Sequence, residues 1–179
     1  MVSPMQPTLP PQPSADADTP ALVAALAELL LDKGWTMATA ESCTGGLIAG
    51  ACTDLAGSSA WFDRGFVTYS NAAKQEMLGV EAHTISSYGA VSAETAREMA
   101  LGALHFSNAD IAAAITGIAG PDGGSAEKPV GTVCFAWALR TGEIRSVTEH
   151  YSGSREEVRR QSVKTALSGL LQLTLNLDL

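Results

Sequence analysis

Three stretches of the chain carry residue types that could do chemistry, and each follows a segment that reads as a strand. In Ala40-Glu41-Ser42-Cys43-Thr44-Gly45-Gly46 a hydroxyl, a thiol and two glycines stand where a strand gives way to a helix. Such a turn aims free backbone N–H groups and the positive end of a helix at an anion. It also sets Ser42 at a strand's C-terminal end, where open α/β sheets bind ligands. A tight turn capped by Ser42 or Thr44 explains the same residues without any ligand. No Lys-Ser/Thr follows Gly50, so this is not a Walker A loop. Neighbours on an extended segment point in opposite directions, so if Ser42 faces a cleft, Cys43 faces the core as a buried, inert thiol.

In Tyr69-Ser70-Asn71-Ala72-Ala73-Lys74 a tyrosine ends a strand and a lysine follows in the first turns of the next helix. The two could share a proton network, but a lysine works as a base only if burial or nearby positive charge lowers its pKa. On spacing alone the plainer reading is a surface lysine beside an N-cap Asn71. The third stretch, Thr116-Gly117-Ile118-Ala119-Gly120-Pro121-Asp122-Gly123-Gly124, follows a buried strand. Its glycines let the backbone approach a ligand and offer N–H groups to a phosphate; a flexible crossover is the alternative. A fourth feature is Arg155 at a helix start, where the dipole disfavours a cation unless an anion binds there. An exposed helical turn with Glu156 paired to Arg159 and Arg160 is the simpler account.

These stretches need elements to hold them. Thr19-Pro20 reads as an N-cap and first helical residue, with Leu22, Leu26, Leu29 and Leu30 at helical spacing and Gly34 as the stop. Strands are expected over 35–40, 62–69, 111–115, 130–139 and 143–151, and helices over 44–54, 71–78, 92–106 and 154–173. The last two strands form a hairpin through Arg140-Thr141-Gly142. Helices alternating with strands, then a hairpin, imply an α/β three-layer sandwich on a mixed sheet in a single domain, 19–179. Residues 1–18 hold five of the eight prolines and few core formers, and read as a disordered leader.

Composition bounds the function. The net charge of −8 argues against a duplex-binding surface, and no apolar run reaches the roughly 18 residues that span a bilayer. Cys43, Cys52 and Cys134 are scattered, with no CxxC pair, and the three histidines lie far apart. Neither a disulfide framework nor a structural metal is expected, and a reducing compartment, the cytoplasm, fits. The N-terminus has neither the basic region nor the apolar core of a signal peptide.

Taken together the motifs are similar to those of the CinA C-terminal-domain family, in particular its stand-alone nicotinamide-nucleotide amidohydrolases. The resemblance runs through Thr39 to Gly46, Ala56-Gly57-Ser58-Ser59-Ala60-Trp61-Phe62, Gly65 to Lys74, Gly89-Ala90-Val91-Ser92 and Thr116 to Gly124, then on to Lys128-Pro129-Val130-Gly131-Thr132-Val133. It implies hydrolysis of the carboxamide of nicotinamide mononucleotide to nicotinate mononucleotide and ammonia, in pyridine-nucleotide recycling. The family's serine maps onto Ser42 as nucleophile, and its lysine and tyrosine onto Lys74 and Tyr69 as activating partners. Thr44, Gly45, Gly46, Asn71, Gly117, Gly120 and Gly123 are the expected substrate-binding set, with Arg155 as a phosphate or transition-state contact. The larger pyrophosphatase domain of fused family members is not part of the match, so that activity is not expected.

The residues suit such a reaction. Serine attack splits amide hydrolysis into acylation and deacylation. With no histidine in these motifs, a neutral lysine helped by a tyrosine takes the proton and returns it to the leaving ammonia. Backbone N–H groups from Thr44 to Gly46 are the expected oxyanion donors. No metal or cofactor is needed, and the expected partner is a small nucleotide, not a nucleic acid or a membrane; homo-oligomerisation is left open. A non-catalytic nucleotide-binding module would use the same glycine loops, with Ser42 as a cap. A phosphate-transfer enzyme would need a Walker lysine or a carboxylate pair, and neither stands out.

Overall fold

Asp18 begins the first helix. Its carboxylate accepts the Ala21 N–H at 2.9 Å, so Asp18, not Thr19, caps α1 (Thr19–Lys33), and Pro20 falls in the first turn where its missing N–H costs nothing. Gly34 closes the helix in the left-handed conformation. The structure is a computed structural model that describes residues 17–176; apart from Ala17 and Asp18, the leader expected over 1–18 lies outside the described residues.

The elements that follow are β1 (Met37–Glu41), α2 (Leu47–Thr53), a 3₁₀ turn (Ser58–Ala60), β2 (Phe62–Val67), α3 (Asn71–Leu78), α4 (Ala82–Tyr88), α5 (Ala93–His105), β3 (Ile111–Gly117), β4 (Thr132–Leu139), β5 (Ile144–His150) and α6 (Arg155–Thr174). Every expected helix and strand is present, with ends moved by a few residues. Helix α4 was not anticipated: only Thr84 of its seven residues is buried, so it has no apolar periodicity to read. Ser70, not Asn71, caps α3, accepting the Ala73 N–H; Ser92 caps α5, accepting the Thr95 N–H.

The sheet has the order β2-β1-β3-β4-β5. Strand β1 is parallel to β2 and β3, and β4 is antiparallel to β3 and β5. This is the mixed sheet of an α/β sandwich. Alternation along the strands gives its faces different characters. Ile111, Ile115, Val133, Phe135 and Trp137 point to one side and pack against α1, α2 and α6. Ala38, Ala40, Ala112, Ala114, Ala136 and Ala138 point to the other and admit α5 and the end of α3. The chain leaves β1 through α2 on the first face and leaves β2 through α3, α4 and α5 on the second. The connections diverge at the C-terminal end of β1, which opens a crevice between β1 and β3.

Candidate active site

Glu41, the last residue of β1, is fully buried. Its carboxylate turns back on the start of α2 and accepts the N–H groups of Gly46 (3.0 Å), Ile48 (3.1 Å) and Ala49 (2.8 Å). The orphan donors of that helix are thus satisfied by the protein's own anion. Gly46 sits at φ +96°, which lets the chain reverse into α2. The Gly45 N–H is also occupied, by Ser42 O at 3.0 Å, and closes a four-residue turn. This corrects the expectation that Gly45 and Gly46 supply oxyanion donors. The N–H groups of Cys43 and Thr44 donate to no backbone carbonyl among the described residues. Thr44 is fully buried, whereas Cys43 reaches the cavity described below.

Ser42 and Cys43 part company as expected. Cys43 joins the core on the α1 and α6 side, and burial pushes its thiol up to about 12, so it stays protonated and inert. Ser42 points to the opposite side, where Lys74 of α3 meets it, with Nζ 2.9 Å from Oγ. Nζ also donates to the Thr68 carbonyl at 2.9 Å. Lys74 is 1% exposed, and among the described residues no carboxylate pairs with it. Burial therefore lowers its pKa. A neutral amine there has a lone pair within hydrogen-bond reach of the Ser42 hydroxyl.

A cavity of about 240 Å³ opens above this pair, lined by Ser42, Cys43, Tyr69, Asn71, Lys74, Ala90, Val91, Thr116, Gly117, Ala119 and Arg155. The expected residues Asn71, Gly117 and Arg155 thus reach it; Thr44, Gly45, Gly46, Gly120 and Gly123 do not line it. Gly120 acts one step away, its carbonyl accepting from Arg155 Nη1 at 2.7 Å. Arg155 Nη2 donates to the Tyr69 hydroxyl at 2.9 Å. Tyr69 is 62% exposed and stands at the mouth, tied to Arg155 rather than to Lys74. A larger cavity, of about 510 Å³, lies between α1, α2 and α6, but neither Ser42 nor Lys74 reaches it.

The CinA C-terminal domain model matches residues 19–174. The chain belongs to the CinA C-terminal domain family. The nicotinamide-nucleotide amidohydrolase PncC of Enterobacter agglomerans is 62% identical over 139 residues, which is 75% of this chain and 85% of that one. The PncC of Escherichia coli K12 is 54% identical over 157 residues, 88% of this chain and 95% of that one. Among solved structures, the competence/damage inducible protein CihA of Agrobacterium tumefaciens superposes with a TM-score of 0.86 at 50% identity, over 93% of this chain and 98% of that one.

Four residues of this CinA domain border the site without having been singled out for it. Thr68 supplies the carbonyl that holds Lys74. Thr116 lines the cavity and donates to Ala90 O at 2.7 Å. Glu41 braces α2, and Arg159 donates from Nε to Cys43 O (3.1 Å) and from Nη2 to Thr44 O (3.2 Å). Sequence spacing paired Arg159 with Glu156; the guanidinium turns to backbone carbonyls instead. Glu41 and Thr116 lay inside the candidate stretches without a role of their own; nothing local pointed to Thr68 or Arg159.

Proposed function

We propose that this chain hydrolyses the carboxamide of nicotinamide mononucleotide to nicotinate mononucleotide and ammonia, with Ser42 as nucleophile and Lys74 as its base. The observation that carries this reading is a buried lysine amine, without a carboxylate partner among the described residues, 2.9 Å from a serine hydroxyl at a strand's C-terminal end. The amidohydrolase names of close relatives support the reaction class.

Neutral Lys74 takes the Ser42 proton as Oγ attacks the carboxamide carbon. The oxyanion that forms is met by the N–H of Cys43, a residue that lines the cavity and whose N–H donates to no backbone carbonyl among the described residues; donors of this kind are worth roughly 3–4 kcal/mol. Lys74 passes its proton to the departing nitrogen, and ammonia leaves an acyl-serine. Water then attacks, Lys74 takes its proton, and Ser42 regains one as nicotinate mononucleotide departs. A neutral amine also spares the substrate's pyridinium ring a like-charge neighbour.

The cavity volume sets the pose. At about 240 Å³ it falls below the roughly 300–1,000 Å³ that encloses a whole drug-sized ligand. The pyridine carboxamide enters, and the ribose phosphate stays at the mouth. Arg155 is the cation there and takes the phosphate, steadied by Tyr69 and the Gly120 carbonyl. The three cysteines are free and buried, which suits the cytoplasmic setting we assign to the reaction.

The test is to incubate the protein with nicotinamide mononucleotide and measure ammonia and nicotinate mononucleotide together. Equal yields are expected, with Ser42→Ala binding the nucleotide but releasing neither, and Cys43→Ala retaining most of the rate. Binding by the wild type without turnover supports a non-catalytic nucleotide-binding module instead.

A further inference from the structure

We propose that Arg159 is a positioning residue that locks the Ser42–Gly45 turn in the one orientation compatible with an oxyanion beside Ser42. This rests on Ser42 being the nucleophile. The turn closes through the Gly45 N–H to Ser42 O bond, so Cys43 and Thr44 are its central residues. The peptide between two central residues is the one that rotates between the common turn types. Its carbonyl here is Cys43 O, and Arg159 Nε holds that atom at 3.1 Å. Nη2 holds the next carbonyl, Thr44 O, at 3.2 Å.

The direction of this grip matters. Val158 and Val163 of α6 pack on one face of the sheet, and Leu78 of α3, the helix that carries Lys74, packs on the other. Drawing Cys43 O toward α6 takes its negative end away from Ser42 and Lys74. A trans peptide is planar, so the N–H of the same unit, that of Thr44, points the opposite way, while the Cys43 N–H belongs to the preceding unit. Flipped, that unit would turn a carbonyl oxygen toward the side where the tetrahedral intermediate gathers negative charge. Arg159 is suited to the task because its planar fork reaches two acceptors at once, which a single ammonium does less well. Glu41 grips the following stretch from its N–H side. The turn is held by a carboxylate on its donors and a guanidinium on its acceptors.

The test compares wild type, Arg159→Ala, Arg159→Lys and, as a control on the same helix, the exposed Arg160→Ala. Arg159→Ala is expected to lower kcat about tenfold to a hundredfold, in line with the effect of a small misplacement of catalytic groups. KM should stay within about twofold and the pH midpoint of the rate should not move, because Arg155 and Lys74 are untouched. Arg159→Lys should recover part of the loss, and Arg160→Ala should match the wild type. Phosphonylation of Ser42 by a small fluorophosphonate, in which Oγ displaces fluoride, should slow in parallel and reports on the turn without the natural substrate. If Arg159→Ala does not fold, Arg159→Lys decides: lower kcat at unchanged KM supports the proposal. A wild-type kcat in either folded variant, or a loss confined to KM, overturns it while leaving the amidohydrolase reading in place. A wild type inert toward both the nucleotide and the fluorophosphonate overturns both.

Discussion

Residues 41–49, from the end of β1 into α2, and residues 117–131 after β3 border the same crevice, yet the first segment is buried from 41 to 44 and cross-braced while the second lies exposed from 121 to 127. Glu41 binds three N–H groups of the first and Arg159 two of its carbonyls. The glycine-rich segment is held at its base, where Ile118 N–H donates to Thr132 O and Gly131 N–H to Ile118 O, at Gly120 by Arg155, and at Lys128, whose Nζ donates to Tyr88 O; 121–124 make none of these bonds. The contrast fits a division of labour in the proposed reaction. Bond-making at Ser42 needs groups fixed before the substrate arrives. The ribose phosphate needs only a cation and a surface that can adjust around it.

The comparison can be broken from the rigid side first. Lys74→Met keeps the buried volume but has no basic group to take a proton, and Lys74→Arg keeps a charge that cannot be lost. Both should cut the rate of ammonia release by about 10²–10⁴-fold, the usual worth of a general base. An active Lys74→Arg enzyme would reduce the residue to an electrostatic role. On the adjustable side, Arg155→Ala should raise KM about tenfold with a smaller change in kcat, equivalent to about 1.5 kcal/mol for a charge-assisted contact. A fall in kcat alone would place Arg155 with the chemistry rather than with the phosphate.

The smallest effect is expected far from both segments. A chain beginning at Thr19 loses the Asp18 cap that a chain beginning at Ala17 keeps, and should be about 1 kcal/mol less stable in a melting experiment while turning over at the same rate. Equal melting curves would show that the cap contributes nothing to α1, and a changed rate would tie the segment to the site.

Much of this was readable from residue types. Ser42 and the expected helices and strands followed from turn residues and periodicity, and the Ile-Ala-Ala-Ala-Ile run of β3 read as a buried strand. Pairings across the sequence were not readable. Lys74 looked like a surface residue because nothing local shows that α3 turns it onto Ser42, 32 positions away. Tyr69 looked like its partner because they lie five positions apart; the fold instead ties Tyr69 to Arg155, 86 positions on. Arg159 fitted an ion pair on its own helix, and its grip on the Ser42 turn exists only once α6 lies against α2. The glycines before α2 looked like open donors because the sequence does not show that Glu41 folds back to occupy Gly46.

The central claim is that a buried, neutral Lys74 activates Ser42, and the pH dependence of kcat/KM tests it most directly. Burial favours the uncharged amine, which is the working form, so the rate should rise with pH through a midpoint below the ordinary lysine value of 10.5. That rising limb should vanish in whatever activity Lys74→Met retains. A profile flat between about pH 6 and pH 10, or the same limb in Lys74→Met, would contradict the account, since the titrating group would then not be Lys74.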